Sequence, residues 1–178
     1  MKLQFDPSEI SCWSKRYVDE MAHEKETTDK IIHEVIPSYK SKEYLTQEEF
    51  LIVCHWKSPR TEPRCKSNDE EYIKDVSALS LTTKSEHLKI HVWTLLDGVS
   101  WRTASVFLHF TYPDKYPILD YRALWSIQEE MPTKNIYEFW EKYRDFCKDQ
   151  AKKAGVSMRE LDQALWMYSK QNQKPMNK

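Results

Sequence analysis

The sequence predicts an all-α fold, a compact helical bundle, and three observations carry that reading. Only two glycines occur in 178 residues, Gly98 and Gly155, and hairpin dipeptides are absent apart from one Asp-Gly. Helix start signals recur. Apolar residues behind them return at helical spacing. Seven tryptophans, ten tyrosines and six phenylalanines provide the bulk for a packed interior, and the length suits one domain, expected over 1–170 with a polar tail at 171–178 that frays.

Element by element, helices are expected near 8–25, 28–41, 46–57, 69–80, 85–96, 100–111, 121–130, 135–154 and 157–171. Thr46 with Glu49, and Ser157 with Glu160, have the capping-box pattern. Asn68 to Glu71 and Asn135 to Glu138 are weaker versions. Ile10, Trp13, Tyr17 and Met21 make one apolar stripe, and Phe50, Val53 and Trp56 a second. Phe139, Tyr143 and Phe146 make a third, and Leu161, Leu165 and Tyr168 the last. Prolines at 59 and 63 predict a loop at 58–64. Tyr112 to Pro117 predicts another.

Charge narrows the function classes. The formal net charge is −1, which excludes a purely electrostatic nucleic-acid binder but leaves room for a local basic face. Residues 1–80 hold twelve basic against sixteen acidic side chains, and residues 81–178 fifteen against twelve, so the second half is the better candidate for a polyanion. The first residues hold no apolar signal segment, and no run approaches a membrane span. A cytoplasmic protein without a membrane partner is expected, with Cys12, Cys54, Cys65 and Cys147 as reduced thiols. The spacing of Cys54, His55 and Cys65 suits buried thiols better than a metal site, so no metal is expected.

The most informative segment is Leu88 to Leu108. Leu88, Val92, Leu95 and Leu96 form an apolar helical edge that ends at Asp97-Gly98-Val99-Ser100, and Trp101, Ala104, Phe107 and Leu108 begin another. So short a turn demands a tight hairpin, with Gly98 where a left-handed backbone angle is needed. Ser100 stands where it can cap the second helix. The N–H groups of that helix start, with the helix dipole, offer a phosphate site.

Leu96-Asp97-Gly98-Val99-Ser100-Trp101-Arg102-Thr103-Ala104 resembles the hairpin of the helix-hairpin-helix DNA glycosylases, whose usual pattern is Leu-Pro-Gly-Val-Gly and a segment ending in Thr-Ala. Tyr116-Pro117-Ile118-Leu119-Asp120 follows at the interval the family uses for its catalytic aspartate segment, closest to the adenine-mismatch type. The resemblance spans Leu88 to Ile127, about a fifth of the chain, with the hairpin at 88–111 and the aspartate segment at 116–127. It implies DNA as partner, no cofactor, a phosphate-binding hairpin at Gly98, Val99, Ser100, Trp101, Arg102 and Thr103, and Asp120 as the catalytic carboxylate. The implied reaction is base excision. An extruded nucleotide loses its base while Asp120 stabilises the developing sugar cation or activates water. His55, Trp56, Lys57 and Tyr121 are the candidate pocket residues.

The departures are specific. Ser100 replaces the second hairpin glycine and Asp97 the usual proline. Arg102 falls where bifunctional members carry a nucleophilic lysine, and a guanidinium cannot form the Schiff base, so the implied enzyme is a monofunctional N-glycosylase. The iron–sulfur cysteines of some members are missing. Two alternatives stay open beside the enzyme: a non-catalytic DNA-binding or protein-interaction module on the same scaffold, and a helical adaptor unrelated to DNA. Trp101 and Tyr121 suit base stacking or plain packing, and Asp120 suits catalysis, the capping of the helix at Tyr121, or both.

Overall fold

The computed structural model describes residues 1–174. Among them 72% are helical and none is in a strand. In chain order the α-helices are α1 (Ile10–Glu20), α2 (Lys25–Lys30), α3 (Ile36–Lys42), α4 (Gln47–Lys57), α5 (Glu62–Cys65), α6 (Glu70–Thr82), α7 (Glu86–His91), α8 (Trp101–Thr111), α9 (Tyr121–Trp125), α10 (Ile136–Ala154) and α11 (Met158–Asn172). No helix among the described residues is long and apolar enough to cross a membrane.

The chain forms two compact units, one of residues 23–112 and the other of residues 1–22 with 113–178. The 23–112 unit holds α2 to α8. Its core stacks Phe50 on Phe107 at 5.6 Å and Trp93 on Phe107 at 4.1 Å, all within 6° of parallel. Tyr39 donates its hydroxyl to Ser77 O at 2.7 Å. Buried Lys89 donates to Ser80 O and Thr83 O at the end of α6, which satisfies carbonyls that a helix terminus leaves unpaired.

In the other unit α1 packs along α11, with α9 and α10 against the same helix. The N-terminal segment is pinned by Lys2 N–H to Ile127 O and Gln4 N–H to Ser126 O. Ser126 donates to Leu165 O at 2.6 Å, and Tyr143 holds the loop before α9 by donating to Ile118 O at 2.9 Å.

Both expected capping boxes form, at Thr46/Glu49 and Ser157/Glu160. Several expected elements differ, each for a local reason. The first helix breaks at Met21, so α1 ends near residue 20. The run 25–42 carries a π-helical turn at Ile31–Val35, just before Pro37, whose ring removes an N–H from the ladder. The segment at 58–64 is not a loop: Pro59 and Pro63 sit at first-turn positions, where the missing N–H costs nothing, and start short helices. The 85–96 helix tightens to a 3₁₀ turn over Val92–Leu95. The helix expected to reach 130 stops at Trp125, and the chain turns through Gln128 with φ 62°. In α10 the buried face is Trp140, Tyr143, Cys147 and Ala151, about one position along from the expected Phe139–Tyr143–Phe146 stripe. Of the expected tail, 171–172 continue α11 and 175–178 lie outside the described residues.

Candidate functional site

The candidate site in the 23–112 unit starts from one turn. The 3₁₀ segment Val92–Leu95 ends at Leu96, and Val99 donates its N–H back to Leu96 O at 3.1 Å. α8 then starts at Trp101. Gly98 takes φ +80°, and a Cβ there would lie 2.7 Å from Cys65 Sγ, 2.9 Å from Cys65 N and 3.1 Å from Arg64 Cβ. Glycine is therefore required twice, for its backbone angle and for the close approach of α5.

Asn68 clamps the same turn. Its side chain accepts the Asp97 N–H at 2.8 Å and donates to Asp97 O and Cys65 O, both at 2.9 Å. The weak cap expected at Asn68 is not what forms: Asp69 caps α6 through the N–H groups of Glu71 and Tyr72, which leaves Asn68 to hold the turn. Cys65 backs the turn from below, and Cys54 lies beside it. Burial, and the neighbouring Cys65 thiol, push the Cys54 thiol up, whereas the hydrogen bond with Cys54 lowers the Cys65 thiol.

Ser100 occupies the N-cap position of α8 with an extended backbone, but its hydroxyl accepts no first-turn N–H. The expected side-chain cap does not form. Ser100 and Arg102 are exposed, Trp101 is half-buried, and Val99 and Thr103 are buried. Exposed Arg64, which sequence reasoning missed, lies beside Gly98 through its Cβ. Arg64 beside Gly98 and Arg102 in the first turn of α8 are both exposed.

The candidate pocket residues divide. His55 lines a cavity of about 330 Å³ with Thr27, Lys30, Glu48 and Leu51. Its Nδ1 is 2.6 Å from Glu62 Oε2, and Lys66 donates to Glu62 Oε1 at 2.7 Å. Donation from Lys66, then from His55, holds the Glu62 carboxyl below the usual carboxylate range. Trp56 turns away to packing, with its Nε1 on Thr28 Oγ1 at 2.9 Å and its ring edge-on to Phe110 at 5.0 Å. Lys57 is half-buried.

Asp120 and Tyr121 belong to the other unit. Asp120 is 8% exposed and caps α9, with Oδ1 accepting the Arg122 N–H at 2.9 Å. The capping role is thus realised. Tyr121 is exposed, with the Arg122 guanidinium 5.2 Å from its ring centre. No family model matches the chain, and neither the curated proteins nor the solved structures contain a match to it.

Proposed function

We propose that this chain is a DNA-binding protein of the helix-hairpin-helix kind, which holds a duplex phosphate at the start of α8. One observation carries the reading. The turn at 96–100 delivers a helix start that Ser100 does not cap, with exposed Arg64 beside Gly98 and exposed Arg102 in the first turn of α8, on a turn that only glycine can complete. The N–H groups of Trp101, Arg102 and Thr103 project along the axis from that start, where backbone donors and the helix dipole favour an anion. Asp97, exposed on the same turn, opposes the phosphate and sets a modest affinity.

Ser100→Asp is the discriminating variant. Aspartate is a better N-cap than an unused serine and favours the helix dipole, so the fold holds or gains stability. The same carboxylate repels a phosphate. On this reading wild-type protein binds duplex DNA more weakly as salt rises, Arg64→Ala and Arg102→Ala each shallow that dependence, and Ser100→Asp abolishes binding without loss of fold. Salt-insensitive binding, or full affinity in Ser100→Asp, removes the proposal.

A second reading adds monofunctional N-glycosylase chemistry at Asp120. It is favoured by the placement of that carboxylate at the start of α9, on a loop held by the Tyr143 hydroxyl. Its burial and capping bond favour the non-catalytic module instead. Asp120→Asn separates the two, because the amide oxygen still caps but carries no charge. Base release from damaged or mismatched duplex that stops in Asp120→Asn supports the enzyme. Release that persists there removes Asp120 as its source.

A further inference from the structure

A second feature of the same surface is aromatic. His87 and His91 lie one turn apart on α7, both exposed, with ring centres 5.3 Å apart and planes within 13°. The indole of Trp101, the first residue of α8, lies 5.6 Å from His91 at 22° and 6.3 Å from His87 at 35°. The three rings form one contiguous cluster. Spacing of i and i+4 places the two imidazoles on one side of α7, but only the tight turn at 96–100 brings the indole against them.

This cluster is separate from the core of the unit. The buried aromatic stack is Phe50, Phe107 and Trp93. Two exposed imidazoles beside a half-buried indole are aromatic surface of the kind on which a nucleobase stacks.

We infer that His87, His91 and Trp101 form a stacking platform for one unpaired base of DNA, next to the phosphate bound at the start of α8. The inference rests on the DNA-binding reading of the hairpin and deepens it, from duplex backbone to a duplex with an unpaired nucleotide. Continuity names the occupant. Trp101 belongs both to the platform and to the first turn that holds the phosphate, so a nucleotide whose phosphate sits there has its base within reach of the rings. A paired base hides both faces inside the stack; an unpaired one offers a face.

The test uses the full chain and two short duplexes that contain 2-aminopurine, one with the probe paired to thymine and one with it unpaired in a single-nucleotide bulge. Stacking on the platform quenches the unpaired probe, and the bulged duplex binds roughly tenfold more tightly, the effect of one base–aromatic stack. The double variant His87→Ala/His91→Ala changes only exposed side chains. It loses the quench and brings the two affinities together while the affinity for the paired duplex stays at wild type. Ser100→Asp does the converse and abolishes the binding of both duplexes alike. Equal affinity for the two duplexes, or a preference that survives the double histidine variant, overturns the platform and leaves the hairpin reading standing. Failure of both duplexes to bind at low ionic strength overturns the hairpin reading and the platform with it.

Discussion

Replacing Gly98 by alanine asks the turn at 96–100 to carry one methyl group. Two costs follow from the geometry. The first is the backbone angle: φ +80° strains any residue with a Cβ by about 1–2 kcal/mol. The second is collision. Cys65 N, 2.9 Å from the new carbon, is backbone of a helix end and cannot swing aside, and overpacking of this kind costs roughly 1–3 kcal/mol. Together the substitution costs about 3 kcal/mol, a large share of the roughly 5–15 kcal/mol that holds a domain folded. In urea the midpoint falls by about 1–2 M with an unchanged slope. Gly155→Ala is the matched control, because Gly155 also has positive φ, +67°, but nothing within 4 Å of its Cβ position; it costs only the angle. Cys65→Ala removes the sulfur contact at 2.7 Å and leaves the backbone one, so the double variant with Gly98→Ala recovers part of the loss as a positive coupling. Equal costs at Gly98 and Gly155 refute the close approach on which the turn is argued.

Three further outcomes follow from the same structure. Asn68→Ala strands a buried clamp that makes three hydrogen bonds, so it destabilises the 23–112 unit by about 2–4 kcal/mol, read in urea; a cost below the Gly155→Ala control contradicts the clamp. Burial alone raises the Glu49 carboxyl, but donation from Lys42 and the Thr46 backbone outweighs it and leaves the group below its ordinary 4.5; Glu160 is likewise lowered, first by the Ser157 backbone. Stability from depressed carboxyls is present above their ordinary value and is lost as pH falls through the folded one, so melting temperature drops on acidification and drops less steeply in Glu49→Gln/Glu160→Gln; identical pH profiles refute the assignment. Asp120→Ala costs about 1 kcal/mol as a lost N-cap, whereas Asp120→Asn costs a few tenths; equal losses in thermal melts mean that charge rather than capping matters at Asp120.

The helical class, most helix positions and both capping boxes were legible because they rest on local chemistry: a cap hydroxyl, a glutamate three residues on, an apolar period. The short turn at Gly98 was legible for the same reason, since a glycine in so glycine-poor a chain marks a backbone demand. What closes that turn was not. Asn68 reads as a cap in its own segment, and only the fold carries it to Asp97, twenty-nine residues on. Arg64 beside Gly98, and His87 and His91 against Trp101, are likewise products of tertiary packing that periodicity cannot encode. Pro59 and Pro63 read as loop-makers because proline breaks a helix interior and starts a first turn equally well, and sequence alone did not say which. Asp120 was legible as a cap, while its motif suggested chemistry; the cap is the part that local structure could confirm.

The two glycines provide the most direct test of the turn at 96–100 as the proposed DNA contact. Protein labelled with ¹⁵N-glycine has two backbone amide signals, Gly98 in the turn and Gly155 at the end of α10 in the other unit. Titration with duplex DNA at low salt shifts the Gly98 signal and leaves Gly155 in place, and added salt returns Gly98 to its free position. A Gly98 signal that stays fixed while the DNA binds, or one that moves no further than Gly155, contradicts the account.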